Sequence, residues 1–290
     1  MKKTKILIPI FNDWKSLFTL LVGIDTQLYG WDADVSVLIV NDASTDVKPD
    51  FKYGFVNIKS IKIINMKKNT GHARCNAAGL KYISENEDFD FVIPMDGDGE
   101  DRPEEIGALL CAGYESPDKV ITADRVKRAE SFFFKFCYKA HKLITFFFTG
   151  QSIKFGNYTC LPNYAVKKMV NEAATWSSFS GSLVKILKNR KSINSSRATR
   201  YYGTSKMSFF NLIKHSLSII AVFKKTVLVR SISFLLIYGF LILEHISFIT
   251  LIPFFIITTL IISVIILSRR ENISEFNKSL ENIVSIDALK

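Results

Sequence analysis

Residues 246–267 read ISFITLIPFFIITTLIISVIIL, 22 positions without one charged side chain. As a helix, that stretch rises about 33 Å at about 1.5 Å per residue, enough to cross the hydrocarbon core of a bilayer. Burying it inside a soluble domain would need an apolar shell on every side, which a 290-residue chain of net charge +11 is poorly placed to supply. A second apolar run, VLVRSISFLLIYGFLIL at 227–243, holds a single charge, Arg230, which can snorkel to an interface. Only Glu244 and His245 separate the two runs, the size of a hairpin tip. Lys224 and Lys225 precede the pair and Arg269 and Arg270 follow it, so the positive-inside rule places both ends in the cytoplasm. Pro253 is tolerated in a span, because neighbouring helices re-satisfy the freed backbone group. The expectation is a transmembrane hairpin over 227–267 and a cytoplasmic tail over 268–290.

The start, MKKTKILIPIF, has too short an apolar run for a secretory signal, so the rest of the chain is expected to stay cytoplasmic. Cys75, Cys111, Cys137 and Cys160 show no paired spacing, which fits reduced thiols and excludes a cysteine metal or disulfide framework. Charge is divided along the chain. Residues 1–118 hold 13 Lys and Arg against 19 Asp and Glu, whereas residues 119–225 hold 20 against Asp124, Glu130 and Glu172 alone. A basic region beside a membrane hairpin is drawn to anionic lipid headgroups, which makes nucleic acid the poorer partner. Within it, 126–149 is expected as an interfacial helix mixing Phe with Lys, and 205–226 as a juxtamembrane amphipathic helix.

Residues 1–125 alternate β-rich runs with helical stretches, the pattern of a parallel sheet covered by helices. Strands are expected at 5–10, 35–40, 61–65, 91–95 and 119–123, and helices at 14–28, 72–84 and 103–112. Each strand runs into a polar loop, FND, NDASTD, KKNTG, DGDGED and DRVKR in turn. Ligands of open α/β sheets bind at that carboxyl edge. The stretch 150–204 is expected to add one or two strands with a helix between them. A dinucleotide oxidoreductase is disfavoured, since the first loop has no Gly-X-Gly-X-X-Gly.

The loop after the fourth strand carries Asp96, Asp98, Glu100 and Asp101 among Gly97 and Gly99. Carboxylates at i, i+2 and i+4 on a turn can converge on one hard cation, Mg²⁺ or Mn²⁺. Mg²⁺ takes one or two protein carboxylates and fills its shell with phosphate oxygens and water, so the pattern anticipates a phosphorylated ligand. The plainer reading is a solvated acidic turn; the position after a buried strand and the glycines favour the site. A calcium loop fails, because the twelfth position from Asp96 is Gly107 where a bidentate Glu is needed.

Six segments occur in this order: IPIFND, IVNDASTD, NTGHARCNAAGL, MDGDGEDRPEE, DRVKR and RYYGTSKMS. Together they resemble the family 2 glycosyltransferases, and among them the polyprenyl-phosphate sugar transferases of the dolichyl-phosphate mannose synthase type. The resemblance implies a GT-A type nucleotide-diphospho-sugar transferase fold, a Rossmann-like and mostly parallel α/β sheet over 1–204, followed by interfacial helices and a two-helix membrane hairpin. It implies a cell-envelope enzyme of the cytoplasmic membrane, multi-pass, with its catalytic domain and both termini cytoplasmic. It further implies that Pro9, Asp13, Asp42, Gly71 and Asp96 bind the nucleotide, and that Asp96, Asp98 and Glu100 bind Mg²⁺ or Mn²⁺. Arg125 and Arg128 would act with Asp96 and Asp98 in catalysis, and Arg128, Arg200, Ser205 and Lys206 would hold the donor diphosphate or the acceptor phosphate. For Arg125, Arg128 and Lys206 the plainer reading is lipid-facing charge. The implied partners are a nucleotide-sugar donor, a polyprenyl phosphate and the membrane, with no nucleic acid; a homo-oligomer is compatible with this.

The reaction implied is an inverting transfer. A polyprenyl phosphate, with a second pKa of roughly 6, arrives mostly as a dianion and needs no general base. His72 and His141 are accordingly read as structural or interfacial. Departures from the family pattern are Asn41 for the first acid of an Asp-Asp pair, Glu100 for Gln, Arg102 for Pro, and Asn157 and Thr159 for the acid and arginine of an Asp-Phe-Arg element. The alternatives are a transferase of the same fold acting on a glycolipid or polysaccharide intermediate, which would need a base, and a membrane-tethered nucleotide-binding protein without turnover.

Overall fold

A computed structural model describes residues 1–127, 142–203 and 209–290. The chain begins β1 (Lys3–Ile10), α1 (Trp14–Gln27), β2 (Asp34–Asn41), β3 (Ser60–Met66), α2 (His72–Asn86), β4 (Phe91–Pro94). A short 3₁₀ turn at Pro103–Glu105 leads into α3 (Ile106–Glu115), then β5 (Val120–Lys127). Helix α4 is described over 142–149. There follow β6 (Thr159–Pro162), α5 (Asn163–Val170), α6 (Phe179–Ile186), β7 (Arg190–Ser196), α7 (Phe209–Ala221), α8 (Lys224–Leu241), α9 (Phe248–Ser268), α10 (Ile273–Asn277) and β8 (Ile283–Ala288).

One eight-stranded sheet has the order β7-β5-β6-β4-β1-β2-β3-β8. The block β4-β1-β2-β3 is parallel, β6 runs against both β4 and β5, and β7 is parallel to β5. Among these strands only β6 and β8 therefore point the other way. Alternate side chains divide between two helical layers. Ile6, Ile8, Val37, Ile39 and Ile63 pack with Leu17, Leu20 and Leu21 of α1 and Leu109 and Leu110 of α3. Leu7, Leu38, Val40 and Ile64 pack with Leu80 and Ile83 of α2 and Leu183 of α6.

Two expectations are corrected. The polar run DRVKR is not a loop at its start: β5 continues through Lys127, pairing Arg125 with Ser195 of β7, because an extended neighbour offers ladder partners that local sequence does not reveal. The stretch expected as a tail over 268–290 returns to the sheet, where β8 lies antiparallel on β3. On the way, Phe276 is fully buried and stacks on Trp176 with centroids 5.4 Å apart.

Helices α7, α8 and α9 form a separate apolar cluster with α4 through Ile220, Val227, Ile257, Val264 and Phe148. The expected hairpin is present in outline: α8 and α9 meet at the tip, where Tyr238 Oη donates to the Thr250 carbonyl at 2.9 Å. Among the described residues only the helix beginning at Phe248 is long and apolar enough to cross a membrane. Helix α8 fails that test by itself because Lys224, Lys225 and Arg230 fall within it. Arg230 is not simply a snorkelling charge; it donates to the Phe147 carbonyl at 2.7 Å, at the end of α4 where helix carbonyls lack partners. Ile232, Leu236, Ile237 and Phe240 of α8, and Ile249, Phe255 and Ile256 of α9, face outward. Of the expected interfacial helix, 128–141 lies outside the described residues, while Leu143, Ile144, Phe146 and Phe147 are exposed.

Candidate active site

Because β1 to β5 and β7 share one direction, their carboxyl ends open onto one edge of the sheet. The short strand β4 delivers Asp96 and Asp98 there. Gly99 permits the turn twice over: its φ is +86°, and a Cβ would sit 2.4 Å from the ring of Tyr201.

Segment 197–203, which follows β7, closes over this acidic loop. Arg200 Nη1 donates to Asp98 at 2.9 Å, and its other terminal nitrogen donates to Asp13 at the start of α1. Arg197 pairs with Glu100, and its guanidinium lies 4.0 Å from Asp96. Arg125 sits 3.8 Å from the buried Asp101, whose carboxylate accepts the Asp96 backbone N–H at 3.0 Å. The side chains of Asp13, Asp96, Asp98, Glu100, Arg197 and Arg200 are only 15–23% exposed, so water screens these pairs less than surface pairs. Beside Gly99, an open cavity of about 280 Å³ is bounded by Arg102, Arg197 and Tyr201.

The carboxyls of the loop do not share one state. Burial and the Asp96 charge push Asp98 up to about 6 against the pull of Arg200 and Arg197. Burial and Asp96 likewise push Asp101 up to about 7 against Arg125. Burial alone would raise Asp96, but the hydrogen bond and charge of His72, with Arg197 and Arg125, outweigh it and hold that carboxyl well below the usual range. For His72, crowding works to lower the pKa and the Asp96 hydrogen bond, with the charges of Asp96, Asp98 and Asp101, raises it. The histidine lies 3.3 Å from Asp96, and Asn157 contacts both. His72 thus belongs to the site's edge, as its place directly after Gly71 suggests.

Mutual repulsion between Asp96 and Asp98 is what a divalent cation relieves, so these two carboxylates fit an ion that keeps water and phosphate ligands. Glu100 pairs with Arg197 as Asp98 pairs with Arg200. Among the described residues no three His, Cys, Asp or Glu side chains form a ready cage. Arg197 was missed by sequence reasoning; its only signal is its place three residues before Arg200.

The donor-side residues are held differently. Asp42 is buried and accepts the backbone N–H groups of Thr70 and Gly71, each at 2.9 Å, so it shapes the loop that follows β3. Pro9 is buried within β1, one turn of chain before Asp13. Arg128, Ser205, Lys206 and His141 lie outside the described residues.

Comparison with known proteins identifies the family and the fold. The profile described as Glycosyl transferase family 2 matches residues 5–170. The undecaprenyl-phosphate 4-deoxy-4-formamido-L-arabinose transferase of Proteus mirabilis (strain HI4320) is 29% identical over 220 residues, 73% of this chain and 65% of that protein's length. Among solved structures, the mannosyltransferase of Pyrobaculum calidifontis in complex with GDP-Man and Mn²⁺ matches with a TM-score of 0.50 at 13% identity, over 93% of this chain and 87% of that one. The glucosyl-3-phosphoglycerate synthase of Mycobacterium tuberculosis, with Mn²⁺, UDP-glucose and phosphoglyceric acid, matches with a TM-score of 0.53 at 12% identity, over 78% of this chain and 80% of that one. These likenesses identify the GT-A fold. The chain belongs to glycosyl transferase family 2.

Proposed function

We propose that the protein moves a sugar from a nucleotide-sugar donor to a polyprenyl phosphate at the cytoplasmic face of a membrane, with inversion at the anomeric carbon and with help from Mg²⁺ or Mn²⁺. The observation that carries this reading is the facing of Asp96 and Asp98 by Arg197 and Arg200 at the carboxyl edge of the sheet. A donor diphosphate offers the arginines a bidentate anionic partner in place of the carboxylates. The carboxylates so released are the ones suited to the ion. When bound, the cation would supply Lewis-acid stabilisation of the leaving diphosphate.

In the reaction, a phosphate oxygen of the acceptor forms a bond to the anomeric carbon as the bond from that carbon to the nucleoside diphosphate breaks. Arg200 and Arg197 meet the charge that grows on the leaving group, the electrostatic role that weighs most in such sites. A phosphate acceptor arrives ionised and needs no general base. The name of the Proteus relative favours such an acceptor over a glycolipid hydroxyl.

Membrane attachment is supported by topology. Strand β7 precedes the helices and β8 follows them, and both lie in one sheet. Whatever α8 and α9 enter, the chain must leave and return on the same side, so the crossings are even in number. With Lys224, Lys225, Arg269 and Arg270 at the base, a two-helix hairpin over 227–267 places the catalytic part, 1–204 together with the returning β8, in the cytoplasm. Residues 205–226 would then be the juxtamembrane segment.

The test is direct. Purified full-length protein is given undecaprenyl or dolichyl phosphate and a panel of nucleotide sugars, with and without EDTA. Lipid-linked sugar that forms with one donor, and stops with chelator, is the expected result. No lipid product from any donor, or a rate indifferent to Asp98→Ala, would sink the proposal.

A further inference from the structure

A row of polar side chains crosses three strands beside the donor half of the site. Asn41 ends β2 and stands in register with Asn65 of β3, which in turn faces Ser285 of β8. Asn65 Nδ2 donates to Ser285 Oγ at 2.9 Å and to Asp287 Oδ2 at 2.8 Å. Both amide hydrogens are thereby used, and its Oδ1 is left to accept from Asn41 Nδ2 at 2.9 Å. Asn41 Oδ1 then accepts the Ser44 backbone N–H at 3.0 Å. Asp287 can only accept when ionised, so it sets the direction of every bond in the chain. The row continues beyond Ser44, whose Oγ accepts the Asn12 N–H at 2.9 Å. Asn12 in turn holds the backbone of Thr45 and Asp46.

A second tie runs from the same end of the protein. The Lys67 N–H donates to the Asn282 carbonyl at 2.7 Å, just before β8 and just ahead of the Thr70–Gly71 amides held by Asp42. We infer that β8 is a positioning element for the nucleotide half of the site, acting through Asp287, Asn65 and Asn41 on the 41–46 loop. This explains the departure at residue 41. An aspartate there would accept from Ser44 but could not donate to Asn65, and two acceptor oxygens would meet 2.9 Å apart. That the loop serves a sugar donor rests on the proposed transferase reading; the polar row itself does not.

Hydrogen exchange read by mass spectrometry on the full chain in nanodiscs tests the inference without any ligand. In Asp287→Ala and in Asn41→Asp, peptides covering 41–46 are expected to exchange at least tenfold faster, with β4 and α3 unchanged. Asp287→Asn keeps a carbonyl acceptor for Asn65 and is expected to restore protection. Ser285→Ala removes one of two acceptors and is expected to give a smaller rise at the same peptides, which serves if Asp287→Ala does not fold. Unchanged exchange at 41–46 in these variants, a uniform rise across the sheet, or Asp287→Asn behaving as alanine would overturn the inference. Where turnover is measured, Asp287→Ala is expected to raise the donor KM about tenfold with kcat within about twofold. Expected exchange without any transfer would leave the inference standing and defeat the proposed function instead.

Discussion

The two halves of the sheet edge are fastened by different forces. On the side of β1, β2 and β3 the loops are tied by short-range hydrogen bonds, many of them to backbone: Asp42 to Thr70 and Gly71, Asn12 to Thr45 and Asp46, Asn41 to Ser44. On the side of β4, β5 and β7, backbone bonds from Ala198 to the Glu100 carbonyl and from Tyr201 to the Asp98 carbonyl are joined by ion pairs between the side chains: Asp98 with Arg200, Glu100 with Arg197, Asp101 with Arg125. A hydrogen bond to a buried amide has no substitute partner once broken. An ion pair can be exchanged for another of equal charge. The first half is therefore built to stay in place and the second to trade partners when an anion and a cation arrive together.

The largest effect is expected from the exchangeable half. Asp98→Ala should lower kcat/KM by roughly 10² to 10³, about 3–4 kcal/mol, while the fold stays within about 1 kcal/mol of the parent. Steady-state kinetics beside a melting curve checks both. A loss of folding instead would mean that the ion pairs are structural and the contrast is wrong. Asp42→Ala should do the reverse. It leaves two loop amides without their acceptor and should destabilise the fold by about 2–3 kcal/mol, seen as a lower thermal midpoint that neither salt nor nucleotide rescues.

Arg200→Lys keeps the charge and loses the fork that joins Asp13 to Asp98, so donor KM should rise about tenfold, a change of about 1.4 kcal/mol. Raising salt should weaken this partly buried half only slightly and leave the hydrogen-bonded half unmoved, a difference that exchange rates at low and high ionic strength would show. The smallest effect belongs to the opposite edge of the sheet. Glu87 binds Lys5 at 2.9 Å and Lys62 at 2.6 Å, and although burial works to raise its carboxyl, the two lysines hold it below the usual value. Its stabilisation is therefore complete above the unfolded pKa of about 4.3 and is lost as pH falls through the lower folded value. Glu87→Gln should cost about 0.5–1 kcal/mol at pH 7, with activity intact, and the gap from the parent should close on acidification below about pH 4.

The hydrogen-bonded half was the more legible in sequence. Strands β1, β2 and β3 are continuous apolar runs ending in Asn and Asp, and periodicity located them to within two residues. Asp96 and Asp98 were singled out against the plainer reading of a solvated acidic turn by their place after a buried strand among glycines, and the fold brings both to the carboxyl edge of the sheet beside Arg197 and Arg200. What the sequence hid were partners distant along the chain. Nothing local to Glu100 announces Arg197, and nothing in IVSIDA announces a strand whose ladder lies 220 residues away on β3. Asp42 was singled out as a nucleotide ligand by resemblance, whereas the Thr70 and Gly71 backbone N–H groups that donate to it are partners no motif displays.

The position of β8 after α8 and α9 bears on biosynthesis. A ribosome makes residues 283–288 only after α8 and α9, so the outer edge of β3 stays unpaired until the apolar helices have been made. An open strand edge is a hazard for aggregation. The nascent catalytic part is thus completed last, and its donor loop gains its final tie only in a chain whose hairpin has already been made.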